Sequence, residues 1–249
     1  MATSNEKPLE AMPEDWQRAL AVVAHPDDME YGAAAAVAEW VAAGKQVSYL
    51  LITRGEAGID SLEPVECARV REREQRASAR MVGVTALEFL DHRDGVIEEG
   101  VPLRRDIAAA VRKTRPELVV TLNHRESWGG RAWNTPDHRI VGRAVLDAVG
   151  DAGNRWIFPE QLHAGDAEPW GGVRWVAVAG SPEPTHAVPV GEEAVRKAAA
   201  SLAEHRAYIT ALSDEPVESY ARSFVEWGVR LGAERYGGRD CVAFELYPR

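Results

Sequence analysis

Short apolar runs alternate with longer helical stretches through most of the chain, and this alternation restricts its fold more than any other feature. Repeated strand–helix units place strands in parallel, with right-handed crossovers between them. We therefore predict an α/β protein with a Rossmann-like, mostly parallel sheet and helices on both faces. Strands are expected at residues 20–24, 47–53, 86–90, 117–122 and 173–179, and helices at 30–43, 65–81, 103–114, 136–149 and 192–212.

The 249 residues suit a single domain over 1–249, with residues 1–15, polar and proline-containing, as a flexible N-terminal segment. A formal net charge of −10 argues against a general role on nucleic acid or anionic membranes, which need a basic surface. No apolar stretch is long enough for membrane insertion, and no signal peptide is recognisable, so we expect a cytoplasmic protein. The two cysteines, Cys67 and Cys241, are far apart and are interpreted as structural.

Most of the unusual polar residues fall in four predicted loops that follow strands. These loops cover residues 25–28, 54–60, 91–95 and 123–137. In open α/β sheets, ligands bind beyond the carboxyl ends of the strands. The four loops together therefore predict one functional site at this edge of the sheet.

His25, Asp27 and Asp28 directly follow the first predicted strand. Imidazole and carboxylate are ligands for Zn²⁺, and Fe²⁺ suits two histidines and one carboxylate equally well. In isolation, Asp28 would more simply cap the next helix and His25 would hydrogen-bond locally. However, His138 opens a helix in the same layer, after a second Pro-Asp pair. Two such loops favour a metal site over capping alone.

The motif residues 24–30, Ala-His-Pro-Asp-Asp-Met-Glu, resemble the first signature of the PIG-L/LmbE-like zinc-dependent N-acetylglucosaminyl deacetylase family. Weaker matches occur at residues 53–58, at 90–95 and near the end of the chain at 243–246. The resemblance implies that His25, Asp28 and His138 hold zinc and that Asp27 is the general base.

One position departs from that family. Its second signature reads His-Pro-Asp-His, whereas this chain has Thr135 in place of the first histidine. In relatives that histidine stabilises the oxyanion or acts as an acid. Thr135 can donate a hydrogen bond to the substrate but cannot carry positive charge. His124 and Arg125, in the long preceding loop, are candidates for the missing cation, and we name His124 as a catalytic candidate.

Five further residues are candidates for the site. Asp137 would orient the acid or a histidine that binds the metal. Asp94 would contact either such a histidine or the sugar. Arg54 and Arg71 could hold sugar hydroxyls or a phosphate, although the charged helix around Arg71 favours a solvated face. Trp128 could stack on a sugar ring, or simply anchor its loop.

The sequence thus favours a hydrolase that removes an N-acetyl group from an N-acetylated amino sugar or its conjugate, using metal-activated water. A zinc amidase or deacylase of the same fold, acting on a thiol conjugate or a natural product, is the alternative. A non-hydrolytic sugar- or nucleotide-binding protein is less favoured, because neither glycine-rich phosphate motif is present. The expected partner is a small-molecule sugar conjugate, and eight tryptophans leave room for a homo-oligomer.

Overall fold

The computed structural model describes residues 7–163 and 167–249. Within them, eight strands form one sheet in the order β1-β7-β8-β6-β5-β2-β3-β4. The strands are β1 (Glu10–Ala11), β2 (Arg18–Val23), β3 (Gln46–Leu51), β4 (Ala86–Phe89), β5 (Leu118–Leu122), β6 (Trp175–Ala179), β7 (His186–Pro189) and β8 (Cys241–Pro248). The helices are α1 (Asp28–Gly32), α2 (Ala34–Ala42), α3 (Pro64–Met81), α4 (Val101–Thr114), α5 (Pro136–Gly153), α6 (Glu160–His163), α7 (Glu192–Ala203), α8 (Arg206–Leu212) and α9 (Val217–Arg230), with a 3₁₀ turn at Glu234–Tyr236.

The centre of the sheet is parallel, as predicted. β2 pairs in parallel with both β3 and β5, and β5 pairs in parallel with β6. All five residues of β5 are buried, which is typical of a strand covered on both faces. Only β8 runs antiparallel to its neighbours in the described sheet, pairing with β6 and β7. The α/β fold class is confirmed.

Helices cover both faces of the sheet, and β2 shows why. Ala19, Ala21 and Val23 belong to one apolar cluster, which includes residues of α2, α7 and α9. Leu20 and Val22, which point to the opposite face, belong to a second cluster with α4 and α5. Successive side chains of a strand alternate between faces, so an unbroken apolar strand needs a covering layer on each side.

Two predicted helices are interrupted. The helix expected over 30–43 begins earlier, at Asp28, and breaks at Ala33, whose φ is −151°. The helix expected over 192–212 breaks between Ala203 and Arg206. The first break directly follows Gly32, the last residue of α1, which is a local breaker, whereas the second contains neither glycine nor proline, so packing decides the chain path there.

The N-terminal expectation was wrong for residues 7–15. Glu10–Ala11 pairs with β7, and Leu9 and Met12 are buried, so this stretch is anchored to the sheet edge. Residues 1–6 lie outside the described part of the chain. The sequence also left β1, β7, β8 and α9 unassigned. None of the described helices is long and apolar enough to cross a membrane.

Candidate metal centre

Two neighbouring strands bring the predicted ligands together. β2 and β5 are hydrogen-bonded in parallel, so the loop after β2 and the loop after β5 leave the same edge of the sheet. The first loop carries His25 and Asp28, and the second leads into α5, which begins at Pro136 and carries His138 in its first turn. Parallel pairing therefore brings His25 and His138, which are 113 positions apart in sequence, next to each other.

The loop after β2 has an unusual backbone. Asp27 adopts a φ of 93°, in the left-handed region that non-glycine residues seldom occupy. The Asp28 carboxylate accepts a hydrogen bond from the His25 backbone N–H at 2.9 Å, and the Asp27 N–H donates to Gln75 Oε1 at 2.7 Å. This geometry points the adjacent carboxylates of Asp27 and Asp28 in different directions.

Three potential ligand atoms converge in this loop region. His25 Nδ1 lies 3.2 Å from His138 Nε2 and 3.7 Å from Asp28 Oδ1. His138 Nε2 and Asp28 Oδ1 are 3.0 Å apart. Tetrahedral zinc with bonds of about 2.0–2.2 Å places its ligand atoms roughly 3.3–3.6 Å from one another. The triangle of His25, Asp28 and His138 matches that spacing.

The remaining ring nitrogens orient the two imidazoles. His25 Nε2 lies 3.1 Å from carboxylate oxygens of both Asp94 and Asp137, which only accept, so Nε2 donates to them and Nδ1 is the nitrogen turned toward His138 and Asp28. His138 Nδ1 lies 3.1 Å from Asn134 Oδ1, which leaves Nε2 turned toward the same point. Two ring nitrogens and a carboxylate facing one another would suit a bound cation.

Asp137 is itself held in place by backbone donors. Its carboxylate accepts from the Gly95 N–H at 2.7 Å and from the Ile97 N–H at 3.2 Å. Asp94 is fixed similarly by the Ala57 N–H at 2.8 Å. Carboxylates that orient a metal-binding histidine in this manner are a recurrent feature of metal sites. The loops at 54–60 and 91–95 thus contribute to the site through its supporting residues.

The acidic surroundings shift the ionisation of the ligands. Burial acts against charge on His25, but Asp28, Asp137 and Asp94 raise the pKa of its imidazole well above the usual value. Burial would also raise the pKa of Asp28, yet His138 and His25 outweigh it and hold that pKa well below its usual range. The site thus has a strongly negative potential, which favours a cation.

Asp27 forms a buried ion pair with Arg71. Arg71 Nη2 donates to Asp27 Oδ2 at 2.8 Å and to the Pro26 carbonyl at 2.5 Å, and its side chain is only 2% exposed. Burial raises the pKa of the Asp27 carboxyl to about 6, although the Arg71 guanidinium acts in the opposite direction. The expected solvated face for Arg71 was therefore wrong.

Two glycines make room for this arginine. A Cβ atom at Gly55 would lie 2.5 Å from Arg71 Nη1, and one at Gly58 would lie 2.2 Å from it. Any larger residue at either position would displace the guanidinium. The Thr-Arg-Gly-Glu-Ala-Gly stretch at residues 53–58 thus contributes space for Arg71 and an N–H for Asp94.

The metal ligands form part of the wall of a cavity of about 930 Å³. Thr135 and Trp128 also line this cavity. Trp128 packs edge-on against His138, with 5.5 Å between ring centroids. Thr135 precedes α5 and makes no side-chain hydrogen bond to cap it, so its hydroxyl is available to a ligand in the cavity.

Other predicted site residues lie elsewhere. Arg54 donates to Glu72 and Asp91, outside the cavity, so the structure does not place it for substrate binding. His124 does not line the cavity either and packs against Tyr247 at 5.9 Å. Arg125 pairs with Glu183 and Glu245. Neither residue offered as a replacement for the family histidine reaches the metal centre.

Sequence reasoning gave no role to Gln75 and Asn134. Gln75 binds the Asp27 backbone, and Asn134 orients His138 while donating to the carbonyls of Asn123 and Arg125. Asn134 lies two residues before α5, outside the helix that carries His138, so helical spacing did not indicate the contact and only its closeness in sequence did. For Gln75, inside a charged helix, the sequence held no such signal.

Fold and site together define an α/β protein with a candidate metal centre at the carboxyl edge of its sheet. Residues 20–149 match the family model described as PIG-L: GlcNAc-PI de-N-acetylase. This match covers more than half of the chain, and the chain belongs to the PIG-L family.

Relatives with known names are consistent with this membership. The chain is 31% identical over 141 residues to diacetylchitobiose deacetylase of Thermococcus kodakarensis, covering 56% of this chain and 51% of the relative. It is 32% identical over 191 residues to 1D-myo-inositol 2-acetamido-2-deoxy-alpha-D-glucopyranoside deacetylase of Kineococcus radiotolerans, covering 62% and 49%. The chain thus spans about half the length of these curated relatives.

A solved structure has the same fold over nearly the whole chain. The N,N'-diacetylchitobiose deacetylase from Pyrococcus horikoshii superposes with a TM-score of 0.81 at 23% identity, covering 94% of this chain and 85% of that one. At this identity the likeness supports the fold alone.

Proposed function

We propose that the chain is a metal-dependent deacetylase that releases acetate from an N-acetylated amino sugar or its conjugate. One observation carries the proposal: His25, Asp28 and His138 converge in the wall of a cavity, beside the buried carboxylate of Asp27. Membership of the PIG-L family, and relatives named as deacetylases of acetamido sugars, support the same reaction.

The three converging residues would hold the metal ion. Their ligand types suit Zn²⁺, and Fe²⁺ accepts the same set. Such an ion, when bound, lowers the pKa of water and polarises an amide carbonyl. Asp94 and Asp137 keep the His25 ring in the orientation and tautomer that binding requires.

Asp27 is the proposed general base. Its carboxylate would take the proton from the attacking water and pass it to the departing amine. Arg71 binds the Asp27 carboxylate and Gln75 binds its backbone N–H, so the orientation of the base is fixed before the reaction. The Thr135 hydroxyl is a hydrogen-bond donor for the oxyanion, and Trp128 offers a ring face for stacking on the sugar.

A second function is favoured by one specific observation. Thr135 replaces the family histidine, and neither His124 nor Arg125 lines the cavity to supply a positive charge. An amide with a better leaving group needs less help from an acid. The alternative is an amidase or deacylase of the same fold that acts on such an amide, in a thiol conjugate or a natural product.

The test is a panel of amides supplied to protein of known metal content. We expect one Zn²⁺ or Fe²⁺ per chain and acetate release from at least one N-acetylglucosamine conjugate. The Asp27→Asn variant should keep its metal but lose about 10²–10⁴-fold in kcat, the usual contribution of a general base. Turnover of another amide without any acetate release from the sugars would favour the alternative, and absence of metal would reject both.

A cytoplasmic location and assembly into a homo-oligomer stay predictions from the sequence. Gel filtration with light scattering measures the second directly.

A further inference from the structure

The cavity continues far beyond the metal centre. Its volume of about 930 Å³ lies near the top of the range of roughly 300–1,000 Å³ for pockets that enclose a drug-sized ligand. A single acetamido sugar at the metal centre would leave much of this space unfilled. We call the remote part, lined by Tyr31, Phe224, Val225, Trp227 and Val242, the apolar chamber.

An aromatic wall connects the metal centre with the protein surface through this chamber. Tyr31 lies on α1, one turn after Asp28, and its ring meets Phe224 of α9 edge-on at 4.8 Å. Phe224 in turn contacts Trp227 at 5.5 Å. Trp227 is 56% exposed, so the wall ends at the surface. A group reaching outward from the reacting amide would meet apolar rings along its length.

Small residues leave the chamber open. Its lining includes Ala33 and Ala34 at the break between α1 and α2, Ala198 on α7 and Gly228 on α9. A Cβ atom built on Gly228 would meet no other atom within 4 Å. Clefts of this size with mostly apolar walls typically bind ligands, so the space is best explained by a ligand that fills it.

The charges of the lining also indicate an uncharged occupant. Most charged side chains of the wall belong to the metal centre and its supporting residues, and Glu30 accepts hydrogen bonds from Gln75 and Ser78. Arg235, the other charged residue of the wall, donates to the carbonyls of Lys7 and Pro184. The apolar chamber therefore contacts its occupant mainly through uncharged, apolar side chains.

We propose that the apolar chamber binds an apolar aglycone of the sugar substrate, an alkyl or aryl group attached to the acetamido sugar. This inference rests on the proposed function. The reacting amide must lie at the metal centre, so a substrate long enough to fill the adjoining chamber carries its apolar group on the same molecule as that amide. Because the proposed reaction releases acetate, the acyl side contributes only two carbons, and the apolar length lies on the sugar side.

Binding of alkyl β-D-glucosides tests the chamber without requiring catalysis, since these compounds contain no amide. Calorimetry on the metal-loaded protein would compare methyl, butyl and hexyl glucoside below their micellar concentrations. We expect the Kd to fall by up to about fourfold per added methylene, with a negative heat-capacity change. Equal Kd values for the three glucosides would overturn the proposal.

Gly228→Leu is the matching variant, because its side chain would enter the chamber from a helix position with open space. It should weaken hexyl glucoside binding to the level of methyl glucoside. Gly150→Leu is the control, since Gly150 is an exposed helical glycine of α5, also with open space and outside the cavity lining. Unchanged hexyl binding in Gly228→Leu would overturn the assignment to the chamber.

Turnover separates this proposal from the proposed function. Hexyl N-acetylglucosaminide should exceed its methyl counterpart in kcat/KM, and Gly228→Leu should abolish that advantage. Preference for N-hexanoyl over N-acetyl methyl glycoside, lost in Gly228→Leu, would place an acyl chain in the chamber and overturn the aglycone assignment. If no amide were hydrolysed, the proposed function would fail, whereas chain-length-dependent binding lost in Gly228→Leu would still support the chamber.

Discussion

The backbone at Asp27 is held in a strained conformation. A non-glycine residue with a φ of 93° costs on the order of 1–3 kcal/mol, which the surrounding contacts must offset. The Gln75 amide oxygen and the Arg71 guanidinium supply those contacts. The strain separates the directions of two successive carboxylates, so that Asp28 faces the two histidines while Asp27 faces Arg71.

Loss of the His25 imidazole should empty the metal centre. In His25→Ala, we expect the metal content measured by elemental analysis to fall at least about tenfold, because one of three ligands is gone. His92→Ala is the control, since His92 instead pairs with Asp106 at 3.0 Å. Equal loss of metal in both variants, or in neither, would contradict the assigned ligands.

Loss of Arg71 should destabilise the fold. Removing one partner of a buried ion pair leaves an uncompensated charge, and Arg71→Met is expected to lower the free energy of unfolding by about 3–5 kcal/mol. Urea denaturation measures this loss. Adding Asp27→Asn to Arg71→Met should recover part of it, because the charge left unpaired is then absent. A double variant no more stable than Arg71→Met would show that the pair is not coupled.

The placement of ligands was accessible from the sequence, whereas the burial of Arg71 was not. His25, Asp28 and His138 each follow a strand end, and parallel pairing brings such positions together. On α3, the buried face carries Cys67, Arg71, Gln75 and Ser78, so polar residues occupy the helical stripe where apolar ones are expected. Arg71 and Gln75 contact the loop after β2, Cys67 donates to the Gly55 carbonyl, and Ser78 bonds Glu30 and Ser201, and these contacts together explain that inversion.

At the scale of elements, β8 supports the loop that leads to the second histidine. Glu245 on β8 accepts hydrogen bonds from Arg125 at 2.5 Å, from Ser181 at 2.6 Å and from Tyr247 at 2.6 Å. Arg125 belongs to the loop after β5, and Ser181 follows β6. One carboxylate therefore connects three segments at this edge of the sheet.

Glu245→Gln should weaken the fold in a pH-dependent way. Burial acts to raise the pKa of Glu245, but its hydrogen bonds from Arg125, Ser181 and Tyr247 hold it below the usual value of 4.5. The folded state thus favours the ionised form of Glu245. The contribution of this carboxylate to stability is fully present above pH 4.5 and is lost as the pH falls through the lowered pKa. At pH 7 we expect a loss of about 1 kcal/mol, since solvent screens part of the interaction.

Chemical denaturation at pH 7 and at pH 3 measures this dependence. The difference between Glu245→Gln and the unchanged protein should shrink at the lower pH. A difference that is the same at both values would mean that the charge of Glu245 plays no part.

Strong periodic elements were predictable, and short or interrupted ones were not. β2 and β3 stand out as apolar runs, and the α4 and α5 helices lie close to their predicted bounds. β7 has four residues and includes a proline, and β1 has two, so neither shows a usable alternation. The β1–β7 pair is attached to the rest of the sheet through β8, which is distant in sequence from β1.

At the scale of the whole molecule, metal binding should add to stability. A ligand that binds only the folded state at 100 times its Kd contributes about 2.7 kcal/mol. For a domain of this size, that corresponds to a Tm higher by roughly 5–10 °C. Calorimetry with and without chelator measures the difference, and His138→Ala should show none. A chelator-sensitive Tm in His138→Ala would indicate a metal bound elsewhere.

The place of β8 in the sheet has a consequence for how the chain acquires its structure during synthesis. β8 lies between β6 and β7, and the β1–β7 pair joins the rest of the sheet only through it. Because β1 precedes the other strands in the chain, it leaves the ribosome before them. It nevertheless has no attachment to the main sheet until residues 241–248 emerge. Such long-range closure slows folding, and the edge strands stay open to wrong partners until the last strand arrives.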